Sequence, residues 1–147
     1  WNPPSWDNGA YSKVLSSDKV EGNSSLAVTA NGYKVLESAA LTQKDINGLG
    51  LMKWNMKISA QQPNPYWVGQ VQIMINCPSR NIYSAWVGQI DLTGLAQGQW
   101  IEMIKPLPAS IVSALNGATY SDLKVSLVMN VNSGSGPLLF DDLRFLP

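Results

Sequence analysis

Turn signals set the rhythm of this chain: Asn8-Gly9, Asn31-Gly32, Asn47-Gly48, Asn116-Gly117 and the run Ser133-Gly134-Ser135-Gly136-Pro137 punctuate it from end to end. Asn-Gly pairs take up the positive-φ backbone that tight turns demand, and the short segments between them are rich in residues that suit a pleated sheet. This spacing predicts strands over 25–30, 34–38, 52–60, 68–76, 85–92, 100–104, 123–130 and 138–145. One helical turn is expected over 110–115, between Pro106-Leu107-Pro108 and Asn116-Gly117. The expected fold class is all-β, an antiparallel β-sandwich of jelly-roll type with two sheets and one short helical turn. A chain of 147 residues buries roughly two-thirds of its unfolded surface on folding, so residues 1–147 are read as a single domain with one core.

Hydrophobic parity assigns the faces of several strands, because side chains alternate across a pleated strand. Over 68–76, Val71, Ile73 and Ile75 point to one side and Val68, Gln70, Gln72, Met74 and Asn76 to the other. Trp54, Met56 and Ile58 share a face over 52–60, which makes Trp54 a core residue. Over 123–130, Val125, Leu127 and Met129 alternate with Lys124, Ser126 and Asn130. Over 85–92, one parity puts Trp86, Gly88, Ile90 and Leu92 inward and Gln89 outward, which would make Trp86 structural; the sequence leaves Trp86 undecided between that place and a ligand contact.

Charge and composition narrow the partner. Ten basic and ten acidic residues cancel, so no extended field favours a nucleic-acid backbone or an anionic membrane. Histidine is absent, which removes the commonest general base and transition-metal ligand. The single cysteine, Cys77, has no intrachain disulfide partner and reads as a small buried hydrophobe. No run of eighteen apolar residues occurs, and a secretion signal is expected to lie upstream of residue 1.

Amides and aromatic rings carry the functional reading. A glutamine offers a carbonyl acceptor and two amide donors, a match for paired sugar hydroxyls, and Gln70, Gln72 and Gln89 are expected on wet strand faces, with Asn76 sharing the parity of the first two. An exposed solvated face is the plain alternative. The apolar C–H face of a pyranose stacks on an aromatic ring. Candidate rings are Tyr66, which shares the glutamine parity, Trp67, Trp86, and Trp6 and Tyr83 in expected loops; Trp100 is left unassigned. Near the C-terminus, Asp141-Asp142 interrupts an apolar strand, so one acid should turn toward the interior or a sheet edge and need a counter-charge. Calcium is one candidate, with Asp7 and Glu21 approaching if the first and last strands pair. A salt bridge to Arg144 or a lysine, or simple exposure, is the other.

These residues resemble a known group. Glu21-Gly22-Asn23-Ser24-Ser25-Leu26-Ala27-Val28 is similar to the second strand of many β-sandwich carbohydrate-binding modules, and Phe140-Asp141-Asp142-Leu143-Arg144-Phe145 resembles their terminal strand. The middle segment, from Asn64-Pro65-Tyr66-Trp67 to Val87-Gly88-Gln89, is similar to modules of bacterial polysaccharide-degrading systems. The resemblance implies glycan binding along a sheet face by aromatic platforms and amides. It also implies a structural calcium on Asp141, with Glu21 or Asp7 as partners. The N-terminal segment departs from the pattern, lacking an Asn-x-Phe-Glu opening strand.

The expected function is non-catalytic binding of a neutral polysaccharide, of the β-1,4-linked glucan or mannan type, by an extracellular, monomeric module covalently linked to a catalytic domain. Nucleic acid and membrane are not expected partners. Two alternatives stand beside it. A structural or adhesive sandwich would show a continuous apolar patch on the wet sheet face. A small glycosidase or lyase would need two carboxylates across a cleft, drawn from Asp45, Asp91 and Glu102.

Overall fold

Alternation along the central strands makes two sheets with one apolar face each, and those faces close on one another. The computed structural model describes residues 1–7 and 11–147, so the expected turn at Asn8-Gly9 lies outside the described residues. Nine strands form among them: β1 (Ser12–Ser16), β2 (Ser25–Thr29), β3 (Gly32–Glu37), β4 (Leu51–Lys57), β5 (Gln70–Cys77), β6 (Ile82–Asp91), β7 (Trp100–Pro106), β8 (Lys124–Val131) and β9 (Leu138–Leu146). The single α-helix among the described residues is α1 (Ala109–Leu115). One sheet has the order β1-β2-β9-β4-β7 and the other β3-β8-β5-β6, and every strand pair is antiparallel. This is the expected antiparallel β-sandwich.

The core lies between the sheets. Met52, Trp54, Met56 and Ile58 on and just after β4 face Val71, Ile73 and Ile75 of β5 and Val125, Leu127 and Met129 of β8, all fully buried. Each such side chain contributes on the order of 1.5–3 kcal/mol relative to an exposed position. Helix α1 adds Ile111 and Leu115, four residues apart and so on one helical face, both buried. Cys77 is free and fully buried. Burial raises its thiol pKa, helped by a hydrogen bond to the Asp122 carboxylate, so the thiol stays protonated.

Two sequence expectations need correction, and one open assignment is resolved. Strand β1 was not expected: it is an edge strand with Val14 and Leu15 exposed, so it carries no buried alternation to mark it. Val68 belongs to the core and not to the wet face. Gly69 breaks the strand phase there, with φ +123 and a position so close to the Asn130 carbonyl that a Cβ would lie 2.5 Å from its oxygen. Trp86, undecided from the sequence, is placed by the pairing of β6 with β5. Val87 is an extra residue in β6, since Ile73 pairs with Gly88 and Met74 with Trp86. This bulge moves Trp86 to the outer face, beside its cross-strand neighbour Met74 and half exposed.

Candidate functional site

The outer face of the four-stranded sheet is built by register. Residues directly opposite in an antiparallel pair share a face, so the outward positions fall into rows across the strands. The first row is Tyr33, Asn130, Gln70 and Asp91; the second is Val35, Val128, Gln72 and Gln89; the third is Glu37, Ser126, Met74 and Trp86. Lys124 and Asn76 pair in a fourth. Val35, Val128 and Ser126 are buried despite facing outward. Little of these three side chains on β3 and β8 is left open to a ligand.

All three glutamines singled out by sequence meet here. Gln72 Nε2 donates to Gln89 Oε1 at 3.1 Å, Gln89 Nε2 donates to Asp91 Oδ1 at 3.0 Å, and Gln70 Nε2 donates to the same Oδ1 at 2.9 Å. Asn76 lies two rows from Gln72, donating to Ser126 Oγ at 3.4 Å and accepting from the Ser84 backbone N–H at 2.6 Å. Lys124 and Glu37 form an ion pair at 3.4 Å at the β3–β8 side.

Aromatic rings border this polar centre. Trp86 stands on the β6 side, and Tyr33 on the β3 side is half exposed. Tyr83, 67% exposed, lies in β6 and not in a loop, at an irregularity opposite Asn76 where Ser84 has φ 44. Tyr66 is 91% exposed in the turn before β5, held by its N–H to Asn64 Oδ1 at 3.0 Å. Trp67 is half-buried, and its carbonyl accepts from Asn132 Nδ2 at 2.7 Å, tying it to the end of β8. Trp6, 69% exposed, lies on the N-terminal segment that runs beside β3, fixed by the Asn2–Glu37 bridge and by the Val35 N–H donating to Asp7 Oδ2. Trp100 is elsewhere: its Nε1 donates to Asp18 at the border of the five-stranded sheet.

Tyr33, Asn130 and Asp91 are members of the face that the sequence reading left out of the site. Asp91 was legible, because it sits two positions beyond Gln89 and so shares its side. Tyr33 was not, since only the pairing of β3 with β8 brings it there.

The three acids proposed for calcium do not assemble. Asp141 Oδ2 accepts the backbone N–H groups of Val20 at 2.6 Å and Glu21 at 3.0 Å, and its Oδ1 accepts that of Asp142 at 2.8 Å. Glu21 pairs with Arg144, and Asp7 binds the edge of β3 in the other sheet. The first strand does not pair with the last, as that arrangement required; β2 lies between β1 and β9. Among the described residues no group of three His, Cys, Asp or Glu side chains is placed to hold a metal. Asp141 does chain-tying work with amide partners, and its neighbour Asp142 takes its counter-charge from Arg144 and Lys53.

The acids considered for catalysis are also apart. Glu102 pairs with Lys53 at 2.8 Å in the five-stranded sheet, and Asp45 closes a turn by accepting from Thr42 N at 2.6 Å. On the amide face, Asp91 and Glu37 are separated by three strand spacings and two rows. At about 4.8 Å per strand and 3.3 Å per residue that is about 20 Å, against the roughly 5–9.5 Å that glycosidase chemistry uses.

No protein-family model matches the chain, and no curated protein matches it in sequence. Solved structures match its architecture. The module CBM27-1 of Caldicellulosiruptor saccharolyticus, solved with mannohexaose, superposes with a TM-score of 0.66 at 14% identity, covering 100% of this chain and 89% of that one. A module specific for non-crystalline cellulose, CBM28, gives 0.61 at 13% identity, covering 99% and 87%. The family 11 module from Clostridium thermocellum, bound to a β-1,3-1,4-mixed-linked tetrasaccharide, gives 0.54 at 16% identity, covering 92% and 84%. The fold is thus that of β-sandwich carbohydrate-binding modules.

Proposed function

We propose that this chain is a non-catalytic carbohydrate-binding module that holds a neutral polysaccharide, of the β-1,4-linked glucan or mannan type, on the outer face of β3-β8-β5-β6. The observation that carries the reading is the meeting of Gln70, Gln72 and Gln89 on one water-facing surface with the half-exposed indole of Trp86. Amides supply donors and acceptors for hydroxyls, and the ring supplies a stacking platform for the apolar sugar face. From Tyr33 to Trp86 the face spans about 20 Å of backbone by the same strand geometry, long enough for several sugar rings. Solved proteins of the same fold are described with mannohexaose, a mixed-linked glucan fragment and non-crystalline cellulose as ligands, all of them neutral.

The distance between Asp91 and Glu37 argues against a glycosidase, and the polar rows argue against a purely adhesive sheet face. In this reading the module acts as a monomer outside the cell, linked to a catalytic domain, and raises the local concentration of substrate without doing chemistry. No helix among the described residues is long and apolar enough to cross a membrane.

The test is affinity electrophoresis against soluble β-glucan, mannan and xylan, with tryptophan fluorescence titration on whichever polymer retards the protein. Retardation by a glucan or mannan with a change in indole emission is expected. No retardation and no spectral response across all three would overturn the reading.

A further inference from the structure

We infer that Asp91 is the specificity-determining residue of the amide face, setting the hydrogen-bonding polarity of all three glutamines and excluding polysaccharides that carry carboxylates. The inference rests on the glycan reading above and goes beyond it to the class of chain accepted.

The argument begins with what a carboxylate can do. An ionised aspartate only accepts hydrogen bonds. Its Oδ1 contacts the side-chain amides of Gln70 and Gln89 at 2.9 and 3.0 Å, so both must turn their NH2 groups toward it. Gln89 then has its carbonyl oxygen left for its other neighbour, and Gln72, at 3.1 Å, must meet that oxygen with its own NH2. One charge therefore fixes the orientation of three amides that would otherwise be free to flip.

The consequence is directional. With their NH2 groups turned toward Asp91 or toward one another, the outer carbonyls of Gln70 and Gln72 and the second oxygen of Asp91 have no protein donor among the described residues. Acceptors dominate the row. A ligand must bring donors to it, as a chain of free hydroxyls does.

Charge points the same way. The outward positions of the face carry Asp91, Glu37 and Lys124, and Lys124 is paired with Glu37. That leaves Asp91, which is exposed, without an ion-pair partner among the described residues. A uronate or carboxymethyl group laid across the row would meet both a like charge and a line of acceptors. Two such charges about 6 Å apart, at an effective dielectric constant of about 40, lower affinity about tenfold.

The experiment compares soluble glucomannan with the same polymer carboxylated at C6, by affinity electrophoresis and calorimetry at low ionic strength, for the intact chain and for Asp91→Asn. The intact chain is expected to bind the neutral polymer at least about tenfold more tightly than the carboxylated one, with the gap narrowing as salt rises. Asp91→Asn is expected to fold normally, judged by an unchanged unfolding midpoint, and to bring the two polymers within about threefold. Equal binding of both polymers by the intact chain overturns this inference and leaves the glycan reading intact. Discrimination that survives in Asp91→Asn overturns the assignment to Asp91. Failure to bind neutral glucomannan, or any neutral polymer in the panel, sinks the underlying reading as well.

Discussion

Replacing Trp86 with alanine tests the proposed face most directly. The side chain is 49% exposed, and a tryptophan buries about 150–250 Å² when fully covered, so roughly 100 Å² remains for a ligand to cover. At about 25 cal/mol per Å² this is worth up to about 2.5 kcal/mol, and a sugar that covers most of it would contribute about 2 kcal/mol, or roughly thirtyfold in Kd. Trp86→Ala should therefore weaken binding from the micromolar-to-millimolar range of a single shallow face to the edge of detection. Because the ring lies on the outer face, beside Met74 and away from the core, the unfolding midpoint should hardly move. Calorimetry on the tightest-binding neutral polymer, with thermal unfolding run in parallel, gives both numbers. Trp100→Ala is the matched control, since that indole is tied to Asp18 at the other sheet. Binding by Trp86→Ala within about twofold of the parent, while the parent binds well, would refute the stacking argument.

Other perturbations follow from the same geometry. Gln72→Leu, which removes the middle amide of the row, should cost about 0.5–1.5 kcal/mol of binding, a loss of about two- to twelvefold by calorimetry, with stability retained. Asp141→Ala strands the amides of Val20, Glu21 and Asp142 and should lower stability by about 1–3 kcal/mol in urea titrations. Both Asp141 carboxylate oxygens accept backbone amides, so chelator or added calcium is expected to leave the thermal midpoint unchanged; a calcium-dependent rise of several degrees would contradict that account. The Asp18 carboxyl is held below the ordinary aspartate range by hydrogen bonds from Lys57 and Trp100, and that of Asp122 by hydrogen bonds from Ser79. A depressed folded-state pKa gives stability that is present above the unfolded value and is lost as pH falls through the folded one. The urea midpoint should therefore be level from pH 7 to 5 and fall below about pH 4, less steeply in Asp18→Asn; a flat acid limb would refute the sign.

Much of the fold was written in local signals. The period-two pattern of β5, in which Val71, Ile73 and Ile75 are buried while Gln70, Gln72, Met74 and Asn76 are not, follows directly from the residue order. So does the burial of Trp54 with Met56 and Ile58. What failed was any inference that assumed an unbroken strand. Gly69 resets the phase between Val68 and Gln70, and the extra Val87 does the same between Trp86 and Gln89. A glycine inside a strand hints at such a break, but which neighbour becomes the extra residue depends on the partner strand. Strand β1 was hidden for the opposite reason: it stabilises an edge through backbone pairing to β2 while leaving its side chains in water, so composition leaves no trace of it.

The amide row shows how a site of this kind is specified without a contiguous motif. Sequence parity places Gln72 and Gln89 on outward faces, but only register makes them neighbours. Register here is forced by the core. Val71 opposes Ile90 on the inner side, and Ile73 and Ile75 alternate with the outward residues of the same strand. Slipping β5 by one residue would turn three fully buried aliphatic side chains to water and bring the glutamines inside. At about 1.5–3 kcal/mol for each exposed aliphatic side chain alone, the slip costs about as much as a typical domain holds in reserve once glutamine desolvation is added. The pairing that gathers Gln70, Gln72, Gln89 and Asp91 is thus enforced by residues that never touch a ligand. Core substitutions that loosen β5, Ile73→Ala among them, should consequently weaken binding before they unfold the chain.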